Sequence, residues 1–309
     1  MLNHMTGQRL IWWGIGLALA AVSLVVFEWP TDDFKLIACD VGQGDATLIT
    51  QGFNQVLVDG GPSANKLLAC LGQTMPFWDK RIELVVATHP ELDHIAGLVP
   101  VLKRYQIETV LVSDAGKETE IFNQFLEGVR QSRADLLIAD RGMELALGEI
   151  KLTVLAPQKD EAILAQWYQN PAYMDQTVLG AKQTGGRNEV NQRSVVLWVA
   201  FREIEALLTG DISLNEEKEL VKVGLSQAEI LKVAHHGSKT STSEELLAAI
   251  EPKIAIVEVG EKNTYGHPQA TVLDRLKAHG SLIWRTDLNG QITVSSDGRQ
   301  LTIESQKND

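Results

Sequence analysis

The chain opens on a long apolar run and then breaks into short apolar segments separated by glycine and polar turns. Leu10–Trp29 reads LIWWGIGLALAAVSLVVFEW, with Glu28 its only charge. As a helix it would span roughly 30 Å, the thickness of a bilayer hydrocarbon core. After an acidic linker, Phe34–Cys39, Ala46–Thr50 and Gln55–Val58 are short β-prone runs between glycine turns, the pattern of a meander. Glu83–Thr88 (ELVVAT) predicts a buried strand, followed by a helix from Ile95 to Tyr105 and a strand at Thr109–Ser113. A helix is predicted near Glu118–Gln131, and strands at Ile150–Leu155, Ser194–Phe201 and Ile204–Thr209. Helix and strand then alternate through Glu216–Lys222, Glu229–Val233, Ser243–Ile250, Ile254–Val259 and Gln269–His279. The tail, Leu282–Trp284, Gln291–Ser295 and Gln300–Ile303, reads as short strands, with turn signals at Asp287–Gly290 and Asp297-Gly298. Pro157–Val190 interrupts the pattern with amides, Gly185-Gly186 and no strong period. A segment that long inside a compact domain is more often a functional loop than a missed element.

The flanks of the first run assign it a direction. Trp12, Trp13 and Trp29 fall near its ends, where aromatic rings favour the membrane interface, and Arg9 precedes it while Asp32 and Asp33 follow. The expected organisation is therefore a tail (1–9), a transmembrane anchor (10–29) and a folded domain (34–305) outside the cytoplasm. A cleaved signal peptide is the rival, since Ala18-Leu19-Ala20 resembles a processing site. Apolar residues continue past that point, which favours a retained anchor.

Composition is that of a globular protein, 44% hydrophobic and 22% charged. The net charge of −12 excludes a surface built to grip nucleic acid everywhere, so any such binding is confined to a local patch or to bound cations. The 2 cysteines, Cys39 and Cys70, make no framework, and Cys39 in its apolar run reads as a small buried hydrophobe rather than half of a disulfide.

Histidine placement narrows the chemistry. Thr88-His89-Pro90-Glu91-Leu92-Asp93-His94 lies between a buried strand and a helix, gathering potential ligands at the mouth of a sheet. Imidazole and carboxylate suit Zn²⁺, and a carboxylate-richer set also suits Mn²⁺. Gly210-Asp211 closes an apolar strand, where a lone aspartate is ordinarily a turn or N-cap residue but could also bridge two ions. His235-His236-Gly237-Ser238 and Asn263–Pro268, with His267, again put histidines where strands run out. Each histidine alone could be structural. Together, the repeated placement at strand ends argues for one convergent site.

These residues resemble a family. Asp40-Val41-Gly42-Gln43-Gly44-Asp45-Ala46, Val58-Asp59-Gly60-Gly61, the His89–His94 motif, Gly210-Asp211, His235–Ser238 and Asn263–Pro268 look like the metallo-β-lactamase domain of ComEC-type DNA-uptake proteins. The resemblance covers roughly residues 30–305. It implies an α/β fold, an αββα sandwich, with a dinuclear site on one edge. It also implies metal ligation by His89, Asp93, His94, Asp211 and His267, with Asp211 bridging and Asp59 supporting, and Glu91 is the further potential ligand within the motif. Three departures stand out. Glu91 takes a position that is histidine in most of the superfamily, no separate histidine lies between His94 and Asp211, and the loop at Pro157–Val190 is long. The channel-forming helices and oligonucleotide-binding region of full ComEC proteins have no counterpart, so the chain is not expected to be a channel by itself.

The expectation is a membrane-anchored hydrolase with two divalent ions, Zn²⁺ or Mn²⁺, that activate water for attack on a DNA phosphodiester. Asp93, His235 and His236 are the candidate catalytic residues, and Lys232, Ser238 and Lys239 candidates for holding the substrate backbone, although a solvated loop explains these three equally well. Two alternatives remain: a hydrolase of a small phosphodiester, ester or lactam, and a non-catalytic module assisting a separate DNA-uptake channel protein.

Overall fold

The computed structural model describes residue 9 and residues 11–19, 28–160 and 190–307. Two sheets face each other. The first is eight-stranded. Its strands are β1 (Phe34–Ala38), β2 (Thr47–Gln51), β3 (Asn54–Val58), β4 (Arg81–Ala87), β5 (Gln106–Val112), β6 (Asp135–Ile138), β14 (Ile292–Ser296) and β15 (Leu301–Ser305). They run in the order β15-β14-β1-β2-β3-β4-β5-β6. The second sheet has seven strands: β7 (Glu144–Leu147), β8 (Ile150–Ala156), β9 (Val196–Phe201), β10 (Ile204–Leu208), β11 (Ile230–Lys232), β12 (Ile254–Val257) and β13 (Leu282–Arg285).

Each sheet is antiparallel at one side and parallel at the other. In the first, β1 to β3 form the meander and β3 to β6 run parallel. In the second, β7 to β10 are antiparallel and β10 to β13 parallel. Parallel neighbours need crossover connections, and helices supply them. In the first sheet these are α1 (Ala64–Thr74), α2 (Leu92–Ile95) with α3 (Leu98–Arg104), and α4 (Glu120–Ser132); in the second, α5 (Leu214–Lys222), α6 (Glu244–Ile250) and α7 (Ala270–Ala278). A last short helix, α8 (Thr286–Asn289), occupies the turn expected at Asp287–Gly290.

Three apolar layers follow. Phe34, Ile49, Val86, Leu197, Phe201 and Ile254 pack between the sheets. Leu67, Leu71, Val85, Leu102, Phe125 and Val129 join the first sheet to its helices. Leu207, Leu220, Leu231, Leu247 and Leu276 do the same for the second. The result is an αββα sandwich. Parallel strands buried on both faces explain why ELVVAT carries no alternation.

Three local readings change. The helix expected from Ile95 to Tyr105 is two helices broken at Gly97, where a Cβ would lie 2.0 Å from the Gly60 carbonyl oxygen. Cys39 and Cys70 are buried but joined in a disulfide, with Cα atoms 5.9 Å apart, so the reading of Cys39 as a free small hydrophobe is corrected. The sequence signal failed because Cys70 lies on α1, a helix the hydrophobic pattern did not announce. Among the described residues no helix is long and apolar enough to cross a membrane. Residues 10 and 20–27 of the expected anchor lie outside the described residues.

Candidate metal centre

The carboxyl ends of the parallel strands of both sheets meet at one pole. This is where open α/β sheets place their ligands. Asp59 follows β3, His89 and His94 follow β4, Asp211 follows β10, and His235 and His236 follow β11. The loop before β2 closes in from the side: Asp45 N donates to Asp93 O at 3.1 Å. Gly44, at φ 151°, permits that approach, since a Cβ there would lie 2.1 Å from the same oxygen.

Each buried histidine is gripped at one nitrogen and left free at the other. His94 Nδ1 lies 2.7 Å from Asp59 Oδ2, and Asp59 is itself fixed by the Thr88 amide and hydroxyl. His236 Nδ1 is 2.9 Å from Glu258 O and 3.1 Å from Asp45 Oδ1. Around His89 Nδ1, Thr88 Oγ1 is at 3.1 Å and Ser194 Oγ at 3.3 Å. Such outer contacts set the tautomer and aim of metal-binding imidazoles. The opposite nitrogens, Nε2 of His89, His94 and His236, are buried without a hydrogen-bond partner, as are Asp211 Oδ1 and His267 Nδ1. One orphaned buried polar atom costs about 1–3 kcal/mol, so a convergence of them points to an absent partner.

Asp211 is the hub. Its Oδ2 lies 3.4 Å from His94 Nε2, 3.7 Å from His236 Nε2 and 3.8 Å from His235 Nε2. His89, His94 and Asp211 form one set of candidate ligand atoms within 4.8 Å of one another, and Asp93, His94 and His236 form another. These donors fit a divalent cation: imidazole nitrogens with carboxylates, in a buried pocket.

The electrostatics agree. Burial, with His94 beside it, pushes the His89 imidazole down to about 3, which keeps it neutral. Burial and the neighbouring His236 and His235 push His267 down to about 4. Burial opposes a charge on His236, yet Asp211 and Asp45 outweigh it and lift this group to about 10. His94 is raised for the same reason, by Asp211 and Asp59. Burial likewise opposes ionisation of Asp211, but His236 and His94 hold its carboxyl well below the usual range. The anionic cluster therefore draws cations, protons included.

Several expected residues take other places. Glu91 lines the cleft with its carboxylate paired with Lys117, and it belongs to none of the tight ligand sets among the described residues. His267 faces the same cleft, its ring 5.9 Å from His235 and 6.4 Å from His236, outside those sets. Lys232 is buried against Asp45 and 4.0 Å from Asp211 Oδ1, so it cannot reach a substrate backbone. Ser238 turns to Thr240 in its own loop, 3.0 Å away. Lys239 is exposed and does not line the cleft.

Asp45, Ser194, Glu258 and Lys117 were missed as site residues. Only Asp45 carried a signal, as the end of the glycine-rich motif. His235 and His236 adopt left-handed backbone at φ 51° and 53°, followed by Gly237 at 78°. Such a conformation costs a non-glycine residue about 1–2 kcal/mol, and sequence gives no sign of it. Residues 161–189 of the long loop, with Trp167, Tyr168 and Tyr173, lie outside the described residues. Its flanks are fixed at this pole: Asp160 N and the Arg193 guanidinium both bond the Asp114 carboxylate.

The fold is an αββα sandwich with a candidate metal centre, and known proteins resemble it. Residues 39–153 match the family model of the metallo-beta-lactamase superfamily. That match spans a little over a third of the chain, and members of this superfamily are in general metal-dependent hydrolases. It is similar to ComE operon protein 3 of Bacillus subtilis (27% identity, 88% of this chain and 34% of that protein). It is also similar to competence protein ComA of Neisseria gonorrhoeae (25% identity, 91% and 35%). The chain thus spans about a third of the length of these relatives. Among solved structures, the metallo-beta-lactamase fold protein YhfI of Bacillus subtilis superposes with a TM-score of 0.52 at 12% identity, covering 82% of this chain and 96% of that one. That likeness supports the fold alone.

Proposed function

We propose that the chain is a metal-dependent phosphodiesterase that cleaves DNA outside the cytoplasmic membrane in connection with DNA uptake. The observation that carries the chemistry is the convergence of unpartnered imidazole nitrogens on Asp211 in the floor of an open cleft of about 430 Å³. Among the described residues no lysine or arginine lines that cleft, while Glu91, Asp93 and Asp211 do. A phosphodiester would meet repulsion there unless divalent cations were bound. Relatives that include a competence protein support DNA as the substrate.

Two divalent ions, Zn²⁺ or Mn²⁺, would supply Lewis acidity toward water and the phosphoryl oxygens when bound. His89, His94 and Asp211 would hold one, and Asp93 and His236, sharing Asp211, the other. His235 is the least buried imidazole on Asp211, with its side chain 29% exposed, and is placed to hand a proton to the leaving oxygen. Tyr265 lines the cleft 58% exposed and stacks on His267 at 6.0 Å. It offers a base a face worth about 1–3 kcal/mol. The disulfide favours an oxidising compartment, as expected for a domain outside the cytoplasm.

The test is a metal-by-substrate assay on the purified chain with single-stranded DNA, double-stranded DNA and bis-p-nitrophenyl phosphate. Mn²⁺- or Zn²⁺-dependent DNA cleavage, abolished by chelator, is the expected outcome. Cleavage of the small diester alone would replace DNA with a small substrate, and no turnover of any substrate with metal bound would refute the hydrolase reading.

A further inference from the structure

The pole opposite the metal centre carries an aromatic patch that the hydrolase chemistry does not use. Trp29 and Phe77 are each 58% exposed and Phe53 is 36% exposed. Trp29 meets Phe53 edge-on at 5.3 Å, and Phe77 meets Trp78 edge-on at 4.8 Å. The pairs are linked, because the Phe77 amide donates to Glu28 Oε2 at 3.3 Å. Between them lies a cleft of about 470 Å³ whose walls include Trp29, Pro30, Lys35, Met75, Pro76 and Phe77. Single exposed rings are ordinary on a protein surface, but a contiguous group marks a contact surface.

Topology fixes where this patch points. Trp29 precedes β1, Phe53 lies in the turn between β2 and β3, and Phe77 follows α1. β3 leaves that turn and ends at Val58, beside the Asp59 that orients His94. Five residues of strand separate the two poles by roughly 17 Å. Trp29 is also the last residue of the apolar run Leu10–Trp29, so the sequence expected to enter a bilayer ends on the patch. Tryptophan and other amphipathic rings favour the headgroup boundary, and Lys35 adds a charge suited to phosphate headgroups.

We infer that Trp29, Phe53, Phe77 and Trp78 form a docking face for the lipid headgroup layer, which turns the metal centre away from the membrane. The inference rests on the expected anchor and is independent of what the centre hydrolyses. The face holds the domain upright, so a polymeric substrate reaches the cleft from the aqueous side.

The test uses the full chain in liposomes free of other proteins. An environment-sensitive fluorophore is attached at Phe77→Cys, in a second variant at Phe53→Cys, and for comparison at Lys262→Cys, an exposed position near the metal pole. Circular dichroism confirms that each variant folds. Labels at 77 and 53 should be blue-shifted, quenched by nitroxide lipids and several-fold less accessible to iodide than the label at 262. Equal iodide access at all three positions, or failure of the chain to float with the liposomes, overturns the proposal. So does protection at 77 and 53 that appears only when a membrane extract supplies proteins, because that outcome assigns the face to a protein partner.

Discussion

The two sides of the metal centre hold their histidines by different means. On the side of the first sheet, His94 is oriented by Asp59, which is bound to Thr88, all within the ends of β3 and β4. On the side of the second sheet, His236 bonds Glu258 O within its own sheet and also meets a residue from across the sandwich. Asp45 lies 3.1 Å from its Nδ1 as an ion-pair partner, and Asp45 is in turn neutralised by Lys232 at the end of β11. The Glu258 carboxylate stretches the other way to Thr47, at 3.1 Å. One half is thus built inside a sheet, while the other adds to its own bond with Glu258 O an ion pair that forms only when both sheets are docked. Damage to the first should be local, and damage to the second should reach the fold.

Asp211 belongs to both sides, and its replacement should have the largest effect. Asp211→Asn should lower metal affinity on both sides and cut phosphodiesterase turnover by about 100-fold or more, given the 10–100-fold typical of mere outer contacts. Calorimetric titration with Mn²⁺ reads this directly. Loss of only one of two binding events would show that Asp211 does not bridge.

Lys232→Met separates the sides next. It strands the Asp45 carboxylate in the interior, and breaking a buried pair costs about 3–5 kcal/mol. A large drop in Tm should follow, and the double variant Lys232→Met with Asp45→Asn should recover much of it. By contrast, Asp59→Asn should lower metal affinity about 10–100-fold with a smaller change in Tm. If Asp59→Asn unfolds the chain and Lys232→Met does not, the comparison is reversed. The smallest effect on the metal is expected from Glu91→Gln, which removes a largely buried pair with Lys117 at the rim of the cleft. Unchanged metal stoichiometry and an unchanged Zn²⁺-to-Mn²⁺ affinity ratio would confirm that Glu91 is not a ligand, and loss of an ion would restore it as one.

What sequence could reveal follows from the range of the interactions. Strand-end placement of His89, His94, Asp211 and His236 was legible because each follows a continuous apolar run within one local window. The αββα class was reached through resemblance, since periodicity gives strands and helices but not their layering. α1 was missed because Gly72 and a short apolar stripe weaken its pattern, and β6 and β7 because, at four residues each and no more than half-buried, they carry little apolar signal. Lys232 was misassigned for a different reason. A lysine at a strand end ordinarily reaches solvent, and only its contact with Asp45, 187 positions away, shows that it does not. The pairing of Glu91 with Lys117, on another loop, carries no sequence signal either.

The pairing of β1 with β14 has a consequence for how the molecule is made. On the edge away from β2, Phe34–Ala38 pairs with Ile292–Ser296, and β15 then covers β14. While the chain is being synthesised, about 250 residues emerge before that partner exists, so the edge of β1 stays open and able to pair with another chain. Closure of the first sheet is therefore a late event set by long-range contacts, which fold slowly. Loss of the residues from Ile292 onward would remove β14 and β15 together and leave an aggregation-prone edge at the opposite end of the sheet from β6, while touching none of the metal-centre side chains.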